Sequence, residues 1–514
     1  MAQLGSRRSR TLALPVGLAL TASLGLVPMA TAAAAPTKAV ASEGVSASTT
    51  GPKLSYVVNT KGGHSTAAKV KKAIVKAGGT IVIAYDRIGV IVVTSQNPAF
   101  GETIRRVKGV HSAGATRTKP MAAQSTTDIE AEQPLTSAEA KSAAARASDD
   151  QDPLEPLLWG LPAIKADKAH QKTLGSRKVT VAVIDTGVDD THPDLAPNFD
   201  RRASASCVGG APNTTEGAWR PAPTESNHGT HVAGTIAAAK NGIGVTGVAP
   251  NVKVSGIKVS DPDGFFYTEA VVCGFVWAAE HGADVTNNSY FTDPWMFNCK
   301  DDEDQGALVE AVARASRYAE RKGAVNVASA GNSNFDLAAD EILETGSPND
   351  STNPPNRVID PSKCLDIPMQ LPGVVTVSAT GAKGLKASYS SYGLGVVDVA
   401  APGGDRTQFQ APDAPAVNGL ILSTLPDGKY GYKGGTSMAS PHVSGVAALI
   451  KSRYPHASPS TVKALLTAQA DKHACTNPYD IDGDGKIDAV CEGGKNKNGF
   501  YGVGIVDALD AVRK

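Results

Sequence analysis

Five short runs between residues 178 and 380 are dense in valine, isoleucine and other apolar residues: KVTVAVI (178–184), VKVSGIKV (252–259), GADVTNNS (282–289), GAVNVASA (323–330) and VVTVSAT (374–380). Near-continuous apolar strands of this kind are buried on both faces, the habit of a parallel sheet covered by helices. TEAVVCGFVWAAEHG (268–282) and QGALVEAVARASRYAERKG (305–323), lying between the runs, carry helical periodicity. Alternation of this sort predicts a three-layer α/β domain with a mostly parallel sheet, occupying residues 153–514. Ligands of such sheets sit beyond the carboxyl ends of the strands, so reactive residues are expected there.

Upstream the pattern changes. Residues 54–115 read strand, helix, two strands, helix, strand, a ferredoxin-like α+β unit forming the core of a domain at 36–120. Residues 121–152 are rich in Ala, Ser, Thr, Glu and Asp and nearly free of bulky apolar side chains, which predicts a mobile, cleavable linker. In residues 1–35, Arg7, Arg8 and Arg10 precede an apolar stretch from Leu12 to Val27 and then Ala30-Thr31-Ala32, with no acid before Glu43. That is the layout of a secretory signal peptide; Pro15, Pro28 and the short apolar run argue against a membrane anchor. The Arg7-Arg8 pair is compatible with twin-arginine export. A secreted protein with no membrane contact after signal removal is therefore expected. Lys+Arg and Asp+Glu are both 50, so no net charge recruits nucleic acid or an anionic surface. The six cysteines all follow residue 200, and an even count in an exported chain predicts disulfides. Cys475 and Cys491 bracket a short polar loop and are expected to pair; partners among Cys207, Cys273, Cys299 and Cys364 stay open.

Three polar stretches stand where the sheet places ligands. VAVIDTGVDDTHPDL ends a strand in Asp185, NHGTHVAGT opens a helix at His228, and GGTSMASPHVSGVAALI opens a later helix at Ser437. Singly, each residue has an ordinary explanation: a turn cap, a loop histidine, an N-cap serine. Together they supply an orienting acid, a base and a nucleophile, because a serine hydroxyl attacks only when an imidazole takes its proton. His228 and His231 also have metal-ligand spacing. No acid lies between them, as it would in H-E-x-x-H, so zinc is not expected.

These three stretches, in the order Asp, His, Ser, resemble the signatures of the subtilisin-like serine endopeptidases, over roughly residues 155–514. The resemblance implies Asp185 as orienter, His228 as general base and Ser437 as nucleophile, with His231, His192 and His442 structural. ASAGNSN (328–334) is similar to the segment whose asparagine hydrogen-bonds the oxyanion, which implies that role for Asn332. The ferredoxin-like block resembles the inhibitory propeptide of these proteases, an intramolecular inhibitor that assists folding, with the maturation site in the linker. KNGIGVTGVAP (240–250) resembles their calcium loop. It implies side-chain ligands Asp194 and Asn241 and carbonyl ligands Ala239, Ile243 and Val245, with Glu155 in the place of an N-terminal glutamine. A second candidate comes from spacing alone. Asp480, Asp482, Asp484 and Asp488 fall at positions 1, 3, 5 and 9 of an EF-hand-type loop, with Cys491 where the bidentate glutamate belongs. Calcium is thus expected in a structural role, with no catalytic cofactor.

The resemblance also locates the substrate. Relatives commonly continue Ser-Leu-Gly-Gly after the third strand, as one wall of the pocket for the residue before the scissile bond (P1). This chain has Ser289-Tyr290-Phe291-Thr292, while Ala330-Gly331-Asn332 keeps the family form on the opposite wall. Substrate is expected to dock by strand addition in a pocket crowded by Phe291, with a narrowed P1 preference. The expected protein is a secreted, monomeric serine endopeptidase made as a proenzyme and acting on proteins or peptides. The competing readings are a catalytically dead fold used for binding and an esterase using the same triad.

Overall fold

Along the strand Thr180–Asp185 every residue is buried, and alternate side chains enter different cores. Val181 and Val183 join a cluster with the helices His228–Ala237 and Thr436–Arg453; Ala182 and Ile184 join one with the helices Thr268–Glu280 and Glu303–Arg321. The period of two thus drives one strand into both helical layers. The computed structural model describes residues 51–61, 64–118, 132–407, 418–481 and 483–513; the expected signal peptide lies outside them.

The central sheet has seven strands, ordered Val399–Pro402, Val375–Thr380, Val325–Ser329, Val285–Asn288, Thr180–Asp185, Lys253–Lys258 and Ala205–Ser206. Every pairing in it is parallel. The chain leaves Thr180–Asp185 toward one side of the sheet and returns on the other, so the crevice of this topology opens beside Asp185. The Glu303–Arg321 helix shows why these segments are helical. Asp302 caps it by accepting from Asp304 and Gln305 N–H groups, acids fill the first turn, Arg321 the last, and Leu308, Ala311, Val312 and Ala315 form the buried stripe.

Residues 54–115 form a separate antiparallel sheet, ordered Gly79–Tyr85, Val90–Ser95, Leu54–Thr60 and Val110–Ala115. Helices His64–Lys76 and Phe100–Arg105 complete it, around Val58, Val70, Ile74 and Phe100. This unit rests on the Glu303–Arg321 helix. Asn59 Nδ2 donates to the Ala307 carbonyl at 2.9 Å, Arg105 pairs with Glu303 and Asp304, and Arg314 Nη1 donates to the carbonyls of Thr60, Ile88 and Gly89 at 2.9–3.1 Å.

The linker expectation needs correction over residues 132–152. Gln133–Pro134 pairs with Gly431–Tyr432, Thr136 and Glu139 form a capping box, and Ala143 of the helix Ser137–Ala144 is fully buried in the core that holds Val181 and Val183. Alanine is a poor marker of burial in sequence, yet it is the best helix former and packs closely. The disulfides are Cys207–Cys273, Cys299–Cys364 and Cys475–Cys491. Among the described residues no helix is long and apolar enough to cross a membrane.

Because one guanidinium of Arg314 satisfies three carbonyls at a strand end and a turn, Arg314→Ala should loosen the N-terminal unit selectively. Hydrogen exchange in Leu54–Thr60 and Val90–Ser95 should accelerate by about tenfold or more, while the seven-stranded sheet keeps its protection. Unchanged exchange in both strands would mean that the contact contributes nothing.

Candidate active site

Asp185 is the last residue of its strand and His228 the first of its helix. Their contact depends on how closely the two ends approach. Gly229 is what allows it: a β-carbon there would lie 2.4 Å from the Gly187 carbonyl oxygen and 3.0 Å from the Asp185 β-carbon. Its N–H instead bonds Thr186 Oγ1 at 2.9 Å. His228 Nδ1 stands 2.8 Å from Asp185 Oδ1, both side chains fully buried, and Thr186 N–H donates to the same carboxylate oxygen at 2.7 Å. A carboxylate on Nδ1 fixes the tautomer that leaves Nε2 basic.

Ser437 lies in the first turn of the Thr436–Arg453 helix, where unpaired N–H groups favour negative charge. Its hydroxyl donates to the Ser289 carbonyl at 3.1 Å. Beneath it runs a buried polar chain. Ser289 Oγ donates to the Ser437 carbonyl at 3.1 Å, and Asn287 Oδ1 accepts from Ser440 and Ser444 at 2.7 and 2.9 Å. These bonds peg the helix to the strand Val285–Asn288. Asn287 had a visible signal, a polar pair inside an apolar strand, but no role follows from that signal alone.

Asn332 Oδ1 accepts from the Thr436 N–H at 2.9 Å and from its hydroxyl at 2.7 Å. With its oxygen so engaged, the amide presents Nδ2 as a donor. Ser289, Tyr290 and Phe291 on one side and Ala330, Gly331 and Asn332 on the other line a pocket of about 120 Å³ that Ser437 also borders. Tyr290 belongs largely to the core. It stacks on Phe266 at 4.5 Å and donates to Asn288 Oδ1, whereas Phe291 is half-buried at the pocket. Asp366, which no sequence motif singles out, lines the same pocket.

The other histidines are held by backbone. His231 Nε2 lies 3.0 and 3.1 Å from the carbonyls of Ile421 and Gly431, and burial holds its pKa well below the ordinary value. His442 Nδ1 donates to Met438 O at 2.7 Å, and burial pushes it down to about 4. His192 bridges the Lys429 carbonyl and the Asp194 N–H.

At the first calcium candidate, Asp194 Oδ2 accepts from the Val245 N–H and the Tyr430 hydroxyl, each at 2.9 Å, and Asn241 stands 3.3 Å from Oδ1. An N-terminal acid that reaches this loop is Asp152, which takes the Gly242 N–H at 2.7 Å and the Thr246 hydroxyl at 2.8 Å. Glu155 reaches the same loop, accepting from the Thr246 hydroxyl at 3.3 Å and pairing with Lys240 at 3.4 Å. Burial, with the nearby charge of Asp152, pushes the Asp194 carboxyl up to about 6. Among the described residues no cluster of three or more His, Cys, Asp or Glu forms a metal centre. Asp194, Asn241 and the carbonyls of Ala239, Ile243 and Val245 would give a cation here an all-oxygen set of the kind that fits Ca²⁺. At the second candidate, Asp480 accepts from Gly483 and Gly485, Asp488 accepts from Ile481, and Asp484 pairs with Lys486. Asp482 lies outside the described residues. These acids turn onto their own loop.

A buried carboxylate–imidazole pair at the carboxyl edge of a parallel sheet, with a serine at a helix start beside a pocket, defines an α/β serine hydrolase. Residues 176–504 match the subtilase family. Subtilisin DY of Bacillus licheniformis is 36% identical over 312 residues, covering 61% of this chain and 90% of the relative. Fervidolysin of Fervidobacterium pennivorans, a keratinolytic enzyme related to subtilisin, superposes over 90% of this chain and 61% of its own, with a TM-score of 0.58 at 26% identity. The epidermin leader peptide processing serine protease of Staphylococcus aureus covers 90% of this chain and 98% of its own, with a TM-score of 0.63 at 23% identity, a likeness of fold. The chain belongs to the subtilase family and is a subtilisin-like serine endopeptidase.

Since a β-carbon at 229 would collide with the Gly187 carbonyl, Gly229→Ala should push His228 off Asp185. A displacement near 1 Å is worth about 10² in rate, so kcat/KM on a peptide substrate should fall by at least that factor. Far-ultraviolet circular dichroism should stay close to the parent's. Parental kcat/KM would show that the helix end can shift without cost.

Proposed function

We propose that the chain hydrolyses peptide bonds by an acyl-enzyme route in which Ser437 attacks, His228 carries the proton and Asp185 orients the imidazole. The observation that carries this reading is the 2.8 Å bond between two fully buried groups, Asp185 and His228. His228 takes the Ser437 proton during attack and returns it to the leaving amine; Asp185 stabilises the imidazolium between those events. Asn332 Nδ2 and the Ser437 N–H donate to the oxyanion. One such donor is worth about 10²–10³ in turnover, a figure that comes from subtilisin itself. Substrate adds as a strand between Ser289–Phe291 and Ala330–Asn332, its P1 side chain in the pocket they enclose.

The enzyme is made as a secreted proenzyme, with residues 54–115 as intramolecular inhibitor and folding aid. The docking of that unit on the Glu303–Arg321 helix supports this. Glu132 bonds Asn227, the neighbour of His228, and the chain from there onward is packed. That packing favours a maturation bond N-terminal to Glu132. The loop around Asp194 and Asp152 binds a structural Ca²⁺; the ion would neutralise two approaching carboxylates and takes no part in the chemistry.

Ser437→Ala should lower kcat by about 10⁶ and leave the precursor uncut, and His228→Ala should do nearly the same, because base and nucleophile act as one unit. His231→Ala should instead cost about 1–3 kcal/mol of stability with turnover retained. Casein hydrolysis and fluorophosphonate labelling measure this. An active Ser437→Ala enzyme would overturn the assignment, and labelling of the parent without casein hydrolysis would favour an esterase.

Calcium binding only the folded state should raise stability by about 3–4 kcal/mol at 100–1,000 times its dissociation constant. Adding excess EDTA should therefore lower the melting temperature, and Asp194→Asn should abolish most of that response. A melting temperature indifferent to verified metal removal would dismiss the ion.

A further inference from the structure

The pocket beside Ser437 has apolar flanks, among them Phe291, Met296, Phe335 and Leu337, and one acid, Asp366. Asp366 is 5% exposed, and its Oδ1 is buried without a hydrogen-bond partner. Among the described residues neither carboxylate oxygen is engaged in an ion pair. Burial, and then the charge of Glu344, push this carboxyl well above the ordinary carboxylate range. Glu344 offers no relief, since it is itself paired with Arg357. An unpaired buried acid is costly to a fold, and nothing in the packing around Asp366 uses its charge.

The mounting of this residue is rigid. Its N–H donates to Gln370 Oε1 at 2.7 Å, and its carbonyl accepts the Gln370 N–H at 2.9 Å. The preceding residues, Cys364–Leu365, pair with Asn298–Cys299 and are crosslinked to them by the Cys299–Cys364 disulfide. The following residue, Ile367, accepts the Thr292 N–H at 2.8 Å, which ties the segment to the Ser289–Thr292 wall. On the opposite wall a β-carbon on Gly331 would lie 3.7 Å from Asp366 Oδ2 and 3.5 Å from Ser391 Oγ. The acid and a hydroxyl therefore stand together against the wall that flanks the P1 side chain.

We infer that Asp366 is the P1 specificity residue and that the enzyme cleaves after lysine or arginine. The inference rests on the reading of this pocket as the P1 site. An apolar sleeve ending in an acid matches the build of those side chains: a hydrocarbon stem that packs on Phe291 and Leu337, and a cationic head that meets the carboxylate and the Ser391 hydroxyl. A cation seated there favours the ionised acid and removes the burial penalty, whereas leucine or phenylalanine would leave the carboxyl unpaired. Phe291, which lines the sleeve, narrows it and selects a slender stem over a broad apolar group.

The test is kcat/KM of the matured enzyme on tetrapeptide amides that share P4–P2 and carry Arg, Lys, Gln, Leu or Phe at P1, with fluorophosphonate labelling of Ser437 alongside. Arg or Lys should exceed Leu, Phe and Gln by about 10² or more, and p-aminobenzamidine should inhibit competitively. In Asp366→Asn the ratio of Arg to Leu should collapse by about 10². If that variant does not fold, the parent's P1 profile and its response to p-aminobenzamidine decide the matter. A labelled parent that prefers Leu or Phe overturns the specificity while leaving the hydrolytic reading intact. An unlabelled, inactive parent overturns that reading, and this inference with it.

Discussion

Two fully buried polar side chains, Asp185 and His228, meet at 2.8 Å, and most of the catalytic domain can be understood as what keeps them there. Removing a carboxylate and an imidazole from water costs several kcal/mol per charge, recovered only where geometry and further hydrogen bonds are good. The geometry is set by the sheet. Asp185 ends a strand with neighbours on both sides, Val181 and Ala182 anchor opposite cores, and Gly229 lets the helix close on the strand end. The further bond comes from the Thr186 N–H. Even the secondary histidine serves this placement: neutral His231, held by the Ile421 and Gly431 carbonyls, pins the same helix from behind.

The serine side of the site follows a different rule. Asp185 and His228 are adjusted by close approach, but Ser437 is placed by a run of side-chain hydrogen bonds in the core. Asn287 gathers Ser440 and Ser444, Ser289 bonds the Ser437 carbonyl, and Thr436 engages Asn332. Such chains are specific because each member is costly to leave unsatisfied. Ser437, Asn332 and the pocket wall are therefore fixed relative to one another through a single helix start.

Much of this was legible in the sequence, for reasons that differ by residue. Buried parallel strands announce themselves as apolar runs, and all five expected strands formed. Asp185, His228 and Ser437 sit in contiguous glycine-flanked stretches, because close approach demands glycine next to the reactive residue rather than far from it. Residues 132–152 misled because alanine carries little hydrophobic signal, yet Ala143 lies in the main core. Asp152 and Glu155 are both acids three positions apart, and only the path of the chain shows that both reach the loop, the first taking the Gly242 N–H and each meeting the Thr246 hydroxyl. The pairings Cys207–Cys273 and Cys299–Cys364 join segments 66 and 65 residues apart, a choice made by tertiary packing alone.

Chemistry and selectivity are consequently written at different ranges in this chain. The reacting groups are local features of strand ends and helix starts, where the fold offers few places to put them. The pocket floor is built from a disulfide-clamped ribbon outside the central sheet, Asn298–Cys299 against Cys364–Leu365, which delivers Asp366 beneath a wall set by Phe291. That segment is joined to the core by the Thr292 to Ile367 backbone bond and by Phe297, Cys364 and Ile367, which pack in the cluster that also holds Ala182 and Ile184 of the central strand. Asp366, which faces the pocket from that ribbon, carries no motif of its own in the sequence.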